Sequence, residues 1–100
     1  MNTQLKRIQE MEKLLNESRE ALDAYDKALQ DFKSVQEKIG KLEAYYTSKK
    51  WIKDFEDYEA GKIPKQLPCG VLSEDAVYNL LMENRDLILE IMDLMKEHIR

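Results

Sequence analysis

The chain has little of what most functional classes require. One cysteine, Cys69, and one histidine, His98, stand among 100 residues. A single cysteine excludes an intrachain disulfide and fits a reducing compartment. Three glycines and two prolines are too few for the many turns of an all-β fold. No apolar run reaches membrane-spanning length, because the most apolar stretch, Leu87 to Met95, is broken by Glu90 and Asp93. The start, Met1 to Ile8, lacks the apolar core and the small-residue cleavage site of a secretion signal. There is no Gly-rich phosphate loop, no metal-spaced Cys/His cluster and no nucleophile elbow. A basic excess is lacking too. The net charge is −4 and the pI near 5.1, which argues against a nucleic-acid binder. The expectation is a cytoplasmic protein with no catalytic residues, no cofactor, no metal, no membrane span and no nucleic-acid partner.

What is present is charge and helical periodicity. Charged residues make up 36% and hydrophobic residues 43%, a pairing that suits amphipathic helices. From Leu5 to Tyr46 apolar residues recur in steps of three and four: Ile8, Met11, Leu15, Leu22, Tyr25, Leu29, Phe32, Val35, Ile39 and Leu42. Up to Phe32 they follow a heptad, with Ser18 the one polar residue on the seam. After Phe32 the stripe slips by one residue. Gly40 is the weak point, since a mid-helix glycine costs ~1 kcal/mol against alanine, and the helix could kink or split there.

A short helix over about 48–60 follows, with Thr47 or Ser48 as its N-cap and Trp51, Phe55 and Tyr58 on one face. Gly61 is placed to end it and Pro64 to prevent it resuming. The connector from Lys62 to Leu72 reads as irregular. Ser73 then caps a third helix over about 74–99. Glu74 and Asp75 fall in its first turn, Leu72 is poised to staple onto Val77, and Gly70 turns the chain into it. Val77, Leu80, Leu81, Leu87, Ile88, Ile91, Leu94 and Met95 are its expected buried positions.

The predicted fold is therefore all-α and a single helical domain over 1–100. It is a long helical hairpin of helices at about 3–46 and 74–99, with the aromatic-rich helix and the Pro/Gly connector between them. At ~1.5 Å per residue the first helix is roughly 60 Å long and the third roughly 40 Å. Folded antiparallel, the first overhangs by about 20 Å. Met82, Leu89 and Met92 widen the apolar arc of the third helix. Both features point to a dimeric bundle, with a second copy or another protein as partner.

Two groups of residues are candidate sites. Glu83, Asp86, Glu90, Asp93 and Glu97 line one face of the third helix, in a segment (71–100) holding seven acids against three bases. Such a stripe is ordinarily a solvated face, and its sharper reading is a docking face for a basic partner or for Lys49, Lys50, Lys53, Lys62 and Lys65. The second group is Tyr45, Tyr46, Trp51, Asp54 and Tyr58 with Ser73, Glu74 and Asp75. It reads first as a small aromatic core; the alternative is a ligand pocket where those aromatics meet the 70–75 turn. Cys69 and His98 lie at opposite ends of the third helix, so a Cys-His pair within one chain is not expected.

The stretch from Leu42 to Leu81 carries Tyr45-Tyr46, Ser48, Trp51, Asp54, Gly61, Pro64, Leu67 and the run Gly70-Val71-Leu72-Ser73-Glu74-Asp75. On these residues the chain resembles small bacterial proteins grouped as domain of unknown function 4298. The resemblance implies a cytoplasmic, all-helical protein, chiefly of Gram-positive bacteria. It brings no established activity and no agreed catalytic residues. Cys69 stands where a polar or basic residue is expected in relatives, so its thiol is not expected to be shared chemistry.

Overall fold

The computed structural model describes residues 2–99, and among these it contains helices and no strand. Asn2 starts α1, Thr3–Tyr46, by accepting the Leu5 backbone N–H on Oδ1 at 2.8 Å. The helix runs unbroken through Gly40, where it could have kinked or split. Two things make that tolerable. The glycine penalty is set against a run of helix formers, and exposed i,i+4 pairs brace the helix: Lys13–Glu17 at 3.9 Å, Arg19–Asp23 at 3.6 Å and Lys41–Glu37 at 3.8 Å. Each such pair contributes only a few tenths of a kcal/mol, about 0.3–0.5.

The chain divides into two units, Met1–Gln36 and Glu37–Arg100. The described part of the first is α1 alone. It has no buried residue, and only Leu29, Phe32 and Gln36 are half-buried.

The second unit contains the end of α1, α2 (Lys49–Glu59), a single 3-10 turn (Gly70–Leu72) and α3 (Ala76–His98). Ser48, not Thr47, caps α2: its Oγ accepts from the Trp51 N–H at 3.3 Å and donates to the Tyr45 carbonyl at 2.6 Å. Thr47 instead closes α1, its Oγ1 donating to the Glu43 carbonyl at 2.9 Å. The far end of α2 is a Schellman closure. Gly61, at φ 75°, donates to the Tyr58 carbonyl and Lys62 to that of Asp57. A left-handed residue is required there, which is why glycine serves.

Three expectations about the connector need correcting. Its last residues form the 3-10 turn, on which α2 and α3 both pack. Gly70 has no positive φ, so its conformational freedom is not what steers the chain. And α3 begins at Ala76 rather than 74, with Glu74 and Asp75 forming a turn before it. Ser73 still behaves as a cap, its Oγ accepting the Ala76 N–H at 3.1 Å. The Glu74 carbonyl accepts from the Tyr46 hydroxyl at 3.3 Å, and Asn79 donates to the Asp75 carbonyl at 2.8 Å.

The buried core is small. Leu72 (5% exposed) and Val77 (4%), the two residues expected to form the staple, are its buried apolar side chains. The wider burial expected for α3 is not found. Leu81 and Ile91 are half-buried, while Leu80, Leu87, Ile88, Leu94 and Met95 are exposed. Between the last turns of α1 and the first half of α3 lies an open cleft of about 330 Å³, with Ile39 on one side and Leu81, Met82, Ile88 and Leu89 on the other. The expected antiparallel packing of α3 on α1 is not close there, so dispersion and burial gains are incomplete. Among the described residues no helix is long and apolar enough to cross a membrane.

Candidate functional site

The candidate site is the junction of the α1 C-terminus, α2 and the 3-10 turn. Ser48 sets the angle between the helices by bonding to both. That places Trp51 between two rings: stacked on Phe55 at 5.1 Å with planes 12° apart, and edge-on to Tyr46 at 5.1 Å and 73°. Both geometries are favourable for aromatic quadrupoles. The indole Nε1–H donates to the Val71 carbonyl at 2.9 Å, tying α2 to the turn. Tyr46 ties α1 to the start of α3 through Glu74.

Among the described residues Tyr45 is strongly perturbed, through its bond to Asp54. The Tyr45 hydroxyl donates to Asp54 Oδ2 at 2.5 Å. That bond, then partial burial, then the charges of Asp54 and Cys69, push the phenol from 10.0 up to about 12. A phenol so held keeps its proton at neutral pH. It is a brace for α2, poorly suited to act as a base or nucleophile.

Of the predicted pocket residues, the structure therefore brings together Tyr45, Tyr46, Trp51, Asp54 and the Glu74 backbone. Ser73 is turned to the α3 N-terminus, and Asp75 lies beside it without a side-chain capping bond. Tyr58 is elsewhere: it is 45% exposed and lines an open cleft of about 660 Å³ with Ile63, Pro64, Leu67 and Cys69. The Cys69 thiol lies 3.3 Å from the Leu67 carbonyl. The five acids of the proposed docking face, Glu83, Asp86, Glu90, Asp93 and Glu97, are all exposed. Glu97 lies 3.8 Å from the neighbouring His98, an attraction only when the imidazole is protonated.

Two structural partners were not foreseen, the backbone carbonyls of Val71 and Glu74. Nothing local marks them, since they lie 20 and 28 residues from the side chains they accept from.

No curated protein and no solved structure matches the chain. A family model described as a domain of unknown function, DUF4298, matches residues 8–94. That span covers all of α2, the 3-10 turn and the aromatic junction, and most of both long helices. The chain belongs to the DUF4298 family.

Proposed function

We propose that this protein is a non-enzymatic, cytoplasmic protein–protein interaction module that acts as a homodimer. One observation carries the reading: the apolar seam of α1 is uncovered over most of the first unit. Leu5, Ile8, Met11, Leu15, Leu22 and Tyr25 are each about half exposed or more, with Leu15 at 60% and Leu22 at 58%. Isolated apolar residues on a surface are ordinary, but a contiguous stripe along a helix marks an interaction surface. A helix standing alone also gains little from packing, which normally supplies most helical stability.

The hairpin belongs to the same reading. Within the second unit, Ile39 and Glu43 of α1 share a cleft with α3, and a second copy would complete the bundle over the exposed α3 residues. A small-molecule role has less support, because the polar atoms of the aromatic junction are engaged within the chain: Tyr45 with Asp54, Tyr46 with Glu74 and Trp51 with Val71.

The test is solution mass by light scattering behind a sizing column, at two widely separated concentrations. The expected result is a species of twice 11.8 kDa that dissociates on dilution. A monomer at every concentration would end the homodimer reading.

A further inference from the structure

We infer that the outer edge of α3, where Leu80, Leu87 and Leu94 run beside Glu83, Glu90 and Glu97, is the docking site for an amphipathic helix of another protein with lysines or arginines along its flank. The inference rests on the reading of the chain as an interaction module, and it stands whether or not the chain pairs with itself.

The site is built from rows of residues seven apart on one helix. Val77, Asn84 and Ile91 form the row that α3 turns inward; Val77 is buried and the other two are half-buried. The cleft shared with Ile39 opens on one side of that row, over Met82, Ile88 and Leu89. On the other side stand Leu80, Leu87 and Leu94, all exposed. Helix geometry sets Glu83, Glu90 and Glu97 next to them, each three residues on from its leucine. Asp86 and Asp93 lie beyond the glutamates. The bases of α3 are elsewhere: Arg85 lines the cleft, and Lys96 continues the row of Met82 and Leu89. The leucine row therefore has an inward row along one edge, and the charged residues along its other edge are all acids.

Those acids are left unrelieved. On α1, opposite charges pair along the helix, Lys13 with Glu17, Arg19 with Asp23 and Lys41 with Glu37. On α3, Glu83, Asp86, Glu90, Asp93 and Glu97 follow one another at steps of three and four, and every step sets like charges side by side, which is unfavourable. Among the described residues the one ion pair any of them makes is Glu97 with His98, at 3.8 Å. None pairs with Lys49, Lys50, Lys53, Lys62 or Lys65, and Lys53 is engaged by Asp57 at 3.0 Å. An exposed leucine row edged by carboxylates is complementary to an apolar row edged by bases. The leucines offer burial, and the glutamates decide which helix fits.

A second copy does not offer that helix. Bordering the α1 seam, one row reads Leu5, Glu12, Arg19, Asp26, Lys33 and the other Arg7, Leu14, Ala21, Ala28, so neither is uniformly basic. The row richest in bases, Lys6, Lys13, Glu20 and Lys27, lies on the face opposite the seam. A second α3 has no base beside its leucines, and in α2 the lysines are interleaved with Asp54, Glu56 and Asp57. The partner is thus a different chain. Its bases recur at the spacing of the glutamates, about 10 Å along the axis.

The probe is a labelled peptide of about three heptads, with leucines at the two seam positions and lysines at the two flanking ones. Its binding to the full chain is read by fluorescence anisotropy at low salt, beside the same peptide with glutamates for lysines. The lysine peptide should bind and the glutamate peptide should not. The triple variant Glu83→Lys, Glu90→Lys, Glu97→Lys should bind the lysine peptide about tenfold more weakly and accept the glutamate peptide instead, an exchange that an unfolded chain would not show. A second triple variant, Glu10→Lys, Glu20→Lys, Asp31→Lys, changes the net charge equally on α1 away from its seam, and should bind as the parent does. Leu87→Ala should also weaken the lysine peptide about tenfold. Failure of the parent to bind the lysine peptide, or equal losses in the two triple variants, overturns the site. So does a shift of the parent's dimer dissociation in the α3 triple variant alone, since the row would then belong to the second copy. A monomeric parent that binds the peptide through this row ends the homodimer reading and leaves the docking site standing.

Discussion

The two units of this chain use similar residues to different ends. In Met1–Gln36 the described apolar residues sit on a helix that buries none of them, and the ion pairs found there are local and exposed. In Glu37–Arg100, residues far apart in sequence are tied together, Trp51 to Val71 and Tyr46 to Glu74, beside a small buried core of Leu72 and Val77. The first unit has an uncovered apolar stripe without a tertiary structure, and the second a small tertiary structure with some apolar face left over. On the proposed reading a second copy would supply the packing that the first unit lacks, whereas the second unit makes part of its own.

The comparison can be broken most sharply with one substitution made twice. Leu72→Ala removes a side chain that is 5% exposed and should cost about 2–4 kcal/mol of unfolding free energy, through lost burial and a residual cavity. Leu15→Ala, at a site 60% exposed, should change the dissociated chain by less than about 0.5 kcal/mol. Its effect should appear as weaker association instead. Denaturant unfolding at a concentration below dissociation, followed by circular dichroism, measures both. Equal costs at the two sites would mean that the seam is covered within one chain, and the distinction between the units would fail.

Local signals in the sequence were reliable where the chemistry itself is local. The Ser48 cap, the Gly61 closure, the Leu72–Val77 pair and the clustering of Tyr46, Trp51 and Phe55 all depend on residues a few positions apart. What escaped reading had a nonlocal cause. Gly40 is the exception, an open point settled locally, since the helix formers and the Lys41–Glu37 pair around it carry the helix through. The start of α3 shifts to Ala76, with the Glu74 carbonyl serving as acceptor for Tyr46, 28 residues earlier. Tyr58 shares a helical face with Trp51 in sequence, but the connector folds so that it lines another cleft. The apolar positions of α3 were legible as a stripe, but periodicity says only which face is apolar, never what covers it.

A paired test sharpens the local part of this account. Ser48→Ala removes the acceptor for the Trp51 N–H and should cost about 1 kcal/mol. Gly40→Ala should do the reverse. The glycine is helical, a Cβ there meets nothing within 4 Å, and the gain should be about 0.5–1 kcal/mol. Thermal unfolding monitored at 222 nm reads both signs. A destabilising Gly40→Ala would show that something closes on that position in solution.

The smallest effect belongs to the Tyr45–Asp54 bond, which is well formed but only partly shielded. The folded phenol titrates near 12 and the unfolded one near 10.0, so as pH rises the unfolded chain releases its proton first. The stabilisation is fully present below pH 10, declines between pH 10 and 12, and is absent above. In an absorbance titration of tyrosinate, one of the five tyrosines should lag the others. Tyr45→Phe should abolish the lagging step, and Asp54→Asn should move it back toward 10 by removing the acceptor charge. Against the second unit's other ties the loss is modest, because solvent screens a bond at the surface. If all five tyrosines ionise together in the parent protein, the bond does not persist in solution. The junction would then be held by Trp51 and its carbonyl partner, with the stacked rings, and Tyr45 would contribute only its ring.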